Sequence, residues 1–370
     1  IKELAAPDGY VTDQEPQEFT FEYQGSGTSV AEYAFTFEDE QTTVELSKAD
    51  LTDKKELPGA SLKVTDENGN TVDEWVSKEE AHIIKGLIVG KKYKMTETKP
   101  ADGYVTAESI EFTVENTKEV QKHQMLDDVT KVEISKKDIT DSSEVPGAKL
   151  IILDKDGKKV ESWTSTDKPH MVEKLPVGEY TLREEQAPDG YLIAEDVKFT
   201  VKDTGKVQKV KMKDAHPYGK LVIKKTDSTS KAALSGAEFE LREKESGKVV
   251  EKLVTDKTGT ATSGKIPIAT YKNGKVEKTV EYILVETKAP NGYELSSKKE
   301  EIRFEYKDGK TKVIEIVKEI KNTKSPSGST PTGNSPKTGD STNIWLPILL
   351  AVLSACGIGG VIWYKKKKGN

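Results

Sequence analysis

Along most of this chain apolar side chains recur at every second position in runs of five to seven residues, broken by Asn-Gly, Asp-Gly or Ser-Gly. The segments SLKVTDENGNTVDEW (61–75), KLIILDKDGKKVESW (149–163) and EFELREKESGKVVEK (238–252) share this form. Alternation at period two with a tight turn between runs predicts β-hairpins. A sustained helical period is absent outside residues 344–364, IWLPILLAVLSACGIGGVIWY, which are almost uninterrupted apolar. At ~1.5 Å rise per residue such a run crosses a hydrocarbon core of ~30 Å. Trp345, Trp363 and Tyr364 mark its edges and Lys365 to Lys368 follow, a basic end expected to stay in the cytoplasm.

The hairpin pattern is also periodic on a longer scale. Pro58-Gly59-Ala60, Pro146-Gly147-Ala148 and Ser235-Gly236-Ala237 recur about every 88 residues. A turn ending in Gly-Tyr recurs at Tyr10, Tyr104, Tyr191 and Tyr293. Four turns against three front motifs predict three complete units and a remnant. Residues 1–41 are expected to be the C-terminal part of a domain begun upstream, followed by domains at 42–128, 129–216 and 217–324. The third is longer, with added residues around 265–278 (KIPIATYKNGKVEK). About seven short strands in each repeat predict an all-β protein of tandem β-sandwiches, plus a C-terminal transmembrane helix at 344–364. Residues 325–335, SPSGSTPTGNS, are too polar and too rich in Pro, Gly, Ser and Thr to bury a core, so they read as a flexible spacer.

Composition narrows the function classes. The chain has 370 residues, 34% of them hydrophobic, with 57 basic and 63 acidic side chains for a net charge of −6. A weakly acidic balance gives no reason to expect nucleic-acid binding, which wants a concentrated basic surface. Cys356 is the sole cysteine and lies in the apolar run, so disulfides cannot secure these small domains. The Leu353–Cys356 stretch imitates a lipid-attachment box but sits at the wrong end of the chain. His82, His123, His170 and His216 lack paired spacing and are expected on the surface, not as metal ligands. Asp154-Lys155-Asp156-Gly157 begins like a calcium loop but lacks the later acidic ligands, and reads as a hairpin turn. With no GxSxG, HExxH or phosphate loop, no turnover enzyme, cofactor or metal site is expected.

The candidate chemistry lies in polar residues placed in core register. Side chains at i, i+2 and i+4 of a strand share a face. The first strands read Val44, Leu46, Lys48; Val132, Ile134, Lys136; and Leu221, Ile223, Lys225. Before each Gly-Tyr turn the face reads Tyr93, Met95, Glu97; Tyr180, Leu182, Glu184; and Tyr282, Leu284, Glu286. At the ends of the units Met125 precedes Asp127, Met212 precedes Asp214 and Ile320 precedes Asn322, each by two. The remnant repeats half of this with Ile1 and Glu3, then Phe37 and Asp39, and each glutamate stands seven residues before its turn tyrosine. A lone charge on a core face costs several kcal/mol, so three repetitions call for a reason. Burial favours a neutral, nucleophilic lysine and a protonated glutamate able to shuttle a proton, while Asp or Asn offers a carbonyl to attack. The product would be a Lys–Asp or Lys–Asn amide.

VELSKADLT, VEISKKDIT and LVIKKTDST, together with YKMTETKPADGY, YTLREEQAPDGY and YILVETKAPNGY, closely resemble the collagen-adhesin B-type domain, also called the SpaA-like pilin domain. The resemblance covers roughly residues 1–324. It implies inverse-immunoglobulin sandwiches with a self-formed isopeptide between first and last strands. The implied bonds are Lys48–Asp127 promoted by Glu97, Lys136–Asp214 by Glu184, and Lys225–Asn322 by Glu286. Asp39 would pair with a lysine upstream of Ile1. Farther on, Ser335-Pro336-Lys337-Thr338-Gly339 resembles a sortase sorting motif with Ser335 in the leucine place, so residues 336–370 would form motif, span and basic tail. The resemblance implies a sortase as partner, cleavage after Thr338, covalent attachment of Thr338 to peptidoglycan, and membrane contact only before sorting. The expected protein is a self-crosslinked stalk of a Gram-positive wall adhesin. The alternatives are a sortase-polymerised pilin subunit, for which no Tyr-Pro-Lys donor setting is present, and a stalk displaying an upstream enzyme. Contact with host extracellular matrix would fall to sequence upstream of Ile1.

Overall fold

The structure is a computed structural model that describes residues 1–30 and 32–326. The spacer beyond Pro326, the motif Ser335, Pro336, Lys337, Thr338, Gly339 and the span 344–364 lie outside the described residues. Within them the chain is all-β, without a helix.

The first full repeat has seven strands: β1 Thr43–Asp50, β2 Ser61–Thr65, β3 Thr71–Val76, β4 His82–Lys85, β5 Lys92–Lys99, β6 Ile110–Thr113 and β7 Gln121–Asp127. They form two facing sheets, ordered β4-β1-β7 and β3-β2-β5-β6. Val44, Leu46, Leu62, Val64, Tyr93, Met95, Phe112 and Met125 fill the space between them, as the alternation requires. The second repeat copies this with β8 Lys131–Asp138, β9 Lys149–Asp154, β10 Lys159–Thr164, β11 His170–Glu173, β12 Gly178–Gln186, β13 Val197–Val201 and β14 Gln208–Asp214. Its sheets are β11-β8-β14 and β10-β9-β12-β13. Asp154 closes the β9–β10 hairpin by accepting the N–H groups of Asp156 and Lys158, each at 2.9 Å.

The third repeat begins with β15 Tyr218–Asp227, β16 Glu238–Glu243, β17 Val249–Val254, β18 Thr260–Thr262 and β19 Ile266–Pro267. It continues with β20 Ala269–Lys272, β21 Lys275–Thr279, β22 Glu281–Lys288, β23 Glu300–Arg303 and β24 Val313–Asn322. Its longer sequence becomes a separate two-stranded β20–β21 hairpin.

In every repeat the first and last strands are parallel neighbours. β1 lies against β7 with Asp50 opposite Asp127, β8 against β14 with Asp138 opposite Asp214, and β15 against β24 with Asp227 opposite Asn322. This pairing brings together ends of the repeat that are remote in sequence.

Residues 1–41 depart from the repeats. Apart from the Tyr10–Gln41 bridge, no β-structure forms among their described residues. Phe19, Phe21 and Tyr33 cluster edge-to-face yet stay exposed, because no strand of the described chain lies alongside to cover them.

Candidate functional site

The polar residues of the three repeats converge at one end of each core. Lys48, Lys136 and Lys225 are 1%, 2% and 1% exposed, and Glu97, Glu184 and Glu286 are each 4% exposed. Asp127, Asp214 and Asn322 are equally buried. β1, β8 and β15 supply the lysines, the middle strands β5, β12 and β22 of the opposite sheet the glutamates, and β7, β14 and β24 the third partners.

Lys48 Nζ is in direct contact with Asp127 Oδ1 and 2.9 Å from Glu97 Oε1. Lys136 Nζ touches Asp214 Oδ1 and lies 2.9 Å from Glu184 Oε2. Lys225 Nζ touches Asn322 Oδ1 and lies 3.0 Å from Glu286 Oε1. Each glutamate is further held by the N–H ten residues on. Ala107 and Ala194 donate to Glu97 and Glu184 at 2.6 Å, and Ser296 donates to Glu286 at 2.8 Å. Phe239 covers Lys225, its ring centroid 5.6 Å from Nζ.

The Asp and Asn clusters differ by a proton. Asn322 Nδ2 donates to both carboxylate oxygens of Glu286, at 3.0 and 3.1 Å, and to the carbonyl of Glu294 at 2.9 Å. In the first two domains the matching atoms, Asp127 Oδ2 and Asp214 Oδ2, are buried without a hydrogen-bond donor. Burial pushes both aspartates up to about 7, against the opposing pull of the nearby lysines. A proton on either aspartate would take the place of the amide hydrogens of Asn322. Burial likewise lowers Lys225 from the usual amine range.

Such a cluster can do acyl chemistry. A lysine nitrogen rests against a carbonyl in a dry interior, and an acid within 3.0 Å of it can carry protons. An unreacted ion pair here must offset its own desolvation, whereas an amide removes both charges.

Residues 1–41 hold part of a similar arrangement. Glu3 accepts the N–H of Asp13 at 2.6 Å, repeating the ten-residue reach. Asp39 Oδ1 is buried and accepts no hydrogen bond from the described residues. Polar residues next to the clusters pair elsewhere: Asp128 with Lys131 at 2.8 Å and Lys137 with Glu144 at 2.7 Å, while Asn116 Oδ1 accepts the Thr12 N–H at 2.9 Å.

One recurring group escaped the sequence reading. Two residues beyond each lysine, Asp50, Asp138 and Asp227 are buried and accept the hydroxyl of the turn tyrosine. Tyr104 donates at 2.7 Å, Tyr191 at 2.8 Å and Tyr293 at 2.8 Å. The repeated Lys-x-Asp spacing was the available signal. The histidines also differ from expectation, because all four are half-buried and face aromatic rings. His82 stacks on Trp75, His123 on Phe112, His170 on Trp163 and His216 on Tyr271, which uses their flat faces as packing surface.

Residues 42–128, 130–216 and 219–320 match the family described as "SpaA: Prealbumin-like fold domain". The chain belongs to that family. Its three matched segments are thus domains of the SpaA-like pilin type. Among solved structures it is similar to the Bacillus anthracis TIE protein, at 28% identity and a TM-score of 0.52 over 77% of this chain and 51% of that one. It therefore spans about half the length of the TIE protein chain. The major pilin subunit BcpA of Bacillus cereus matches at 18% identity and a TM-score of 0.45, over 77% of this chain and 99% of that one. The major pilin SpaD of Corynebacterium diphtheriae matches at 19% identity and 0.36, over 79% and 99%. No curated protein matches.

Proposed function

We propose that this chain is the structural stalk of a cell-wall-anchored surface adhesin, its SpaA-type domains each stapled by one amide bond. The observation that carries this reading is the threefold recurrence of a buried lysine touching Asp or Asn beside a glutamate. In the reaction the lysine, as free amine, attacks Cγ of Asp127, Asp214 or Asn322. The glutamate takes a proton from the nitrogen and returns it to the leaving group. Each aspartate loses one water and Asn322 loses one ammonia, which balances the atoms without oxidant or metal. Each site reacts once, so the chain turns over no substrate.

Wall attachment rests on the motif at Ser335 to Gly339, the apolar run 344–364 and the basic end. A sortase would cleave after Thr338 and join Thr338 to a peptidoglycan amine, so the membrane holds the chain only before that step.

The test is the mass of the whole chain, with peptide mapping to place the bonds. The expected mass is lower than that of the sequence by two waters and one ammonia. Replacing Glu97, Glu184 or Glu286 with Ala restores one leaving group each. A parent of full sequence mass overturns the amide reading.

A further inference from the structure

The tyrosine–aspartate pairs join the two segments that carry the reacting groups. Asp50 shares β1 with Lys48, two residues away and on the same face, while Tyr104 lies seven residues beyond Glu97. Their 2.7 Å hydrogen bond clamps the glutamate-bearing segment to the lysine-bearing strand. Asp50 also accepts the N–H of Thr52 at 2.7 Å, which fixes its carboxylate at the strand end. The Tyr104 hydrogen bond is the main reason this carboxyl is held down at about 2, with burial acting in the opposite sense.

The clamp extends across the domain junction. Lys174, directly after β11 of the second repeat, places Nζ 2.6 Å from the Tyr104 hydroxyl and 3.4 Å from Asp50 Oδ2. Nζ also lies 4.8 Å from the centroid of the Tyr104 ring. Backbone contacts hold the lysine there: Lys174 N–H donates to the Thr130 carbonyl at 3.1 Å, and Thr130 N–H donates to that of Gly103 at 3.0 Å. Gly103 has φ +85°, and a Cβ there would collide with the backbone of Lys174, so this close approach requires glycine. The next junction reaches its clamp by other residues. His216 Nε2 is 2.8 Å from Asp138 Oδ2, and its ring lies flat on Tyr271 of the β20–β21 hairpin at 3.4 Å. The Tyr271 hydroxyl in turn donates to the Gly190 carbonyl at 2.8 Å. Among the described residues, no other repeat contributes a side chain to the Tyr293–Asp227 pair.

We propose that Tyr104 and Asp50 are positioning residues for the Lys48–Asp127 amide and that Lys174 of the following domain completes them, so docking of the second domain promotes crosslinking of the first. This rests on the amide reading above. Neither residue touches the reacting atoms; each fixes where β1 and the glutamate segment meet.

The experiment follows crosslinking in the full chain, recovered unfolded from inclusion bodies, diluted into buffer and quenched with acid at intervals. Tryptic mapping quantifies the three amides separately, so the second and third serve as internal references. Tyr104→Phe is expected to slow the first amide about tenfold, in line with losing a hydrogen bond to a charged group. Lys174→Met is expected to slow it by a smaller factor, about threefold, which Lys174→Arg reverses, and the third amide keeps its parental rate. A purely structural role would shift the melting temperature and leave the folded-state rate unchanged. Parental kinetics of the first amide in Tyr104→Phe overturn the inference. If Tyr104→Phe does not fold, parental kinetics in Lys174→Met, a change at a half-exposed side chain, overturn it instead. A parent that forms no amide overturns both this inference and the amide reading, whereas three amides with unresponsive variants overturn this inference alone.

Discussion

Replacing Lys48 with Met tests how much an amide staple contributes to one domain. Methionine nearly matches the lysine stem in volume, so the core between Leu46, Met95 and Met125 stays filled and the cavity cost is small. What disappears is the closure of a loop 79 residues long between Lys48 and Asp127. The chain-entropy relation used for disulfides assigns such a closure about 4.5 kcal/mol at 25 °C. For a domain of this size each kcal/mol moves the midpoint by about 4–8 °C, so the first-domain transition should fall by roughly 20–35 °C. The substitution also leaves Glu97 and Asp127 facing each other without a cation. Calorimetry at about pH 6, below the value of about 7 to which burial raises Asp127, keeps a proton on that aspartate and limits the residual repulsion. Glu97→Ala is the second arm, since it retains the lysine but removes the proton carrier, and its transition should fall comparably. A drop under about 5 °C in Lys48→Met, near 1 kcal/mol, would refute the staple as a source of stability.

Two further outcomes follow from the clusters and the C-terminal motif. Amide formation in the first two domains should slow as pH rises above about 7, because Asp127 and Asp214, raised by burial, then lose the proton that makes water a leaving group. Asn322 does not titrate and burial already lowers Lys225, so the third domain should not slow over the same range; quenched refolding at several pH values measures this, and equal profiles in all three domains would contradict it. A wall-anchored stalk released by peptidoglycan digestion should run as a single species on a denaturing gel, whereas a ladder of covalent multimers would favour the polymerised pilin.

Much of each site was legible in the sequence because it obeys a local rule. Period two places Lys48 on the face of Val44 and Leu46, Glu97 with Tyr93 and Met95, and Asp127 with Met125, and the repetition in three units singles these residues out. Side-chain direction within a strand depends only on the backbone, so this part needed no tertiary knowledge. Strand pairing is different. That β1 and β7 lie parallel with Asp50 opposite Asp127 depends on how two sheets close over a core, and no residue of either strand encodes the other. For the same reason Asp50 gave no sign of its partner, as Tyr104 is 54 residues away. The added residues at 265–278 read as an insertion, but their docking of Tyr271 onto His216 and Gly190 belongs to a surface assembled from two repeats. The scattered spacing of the histidines placed them at the surface, but spacing cannot distinguish a solvated ring from one lying on Trp75 or Trp163.

The parallel pairing also decides what an amide would do under tension. Force applied along the chain enters the first repeat at Thr43, the start of β1, and leaves at Asp127, the end of β7. Two parallel strands pulled from these opposite ends are loaded in shear, and without a staple the load falls on their backbone hydrogen bonds and the core behind them. Lys48 lies near the end of β1 and Asp127 is the last residue of β7. A bond between them would leave only the stretch from Thr43 to Lys48 in the load path and carry the force past residues 49–126. Those residues, with both sheets and the core, could then stay folded while the chain is taut. The same layout recurs at Lys136 and Asp214 and at Lys225 and Asn322, so each repeat would carry load covalently. The connecting segment, Asp128 to Thr130 at the first junction, would then be the part exposed to force. There Thr130 is fully buried, bonded to the Gly103 and Leu175 carbonyls, and flanked by the Lys174 contact with Tyr104. Extension under load should therefore begin with the release of such junctions, before any sheet opens.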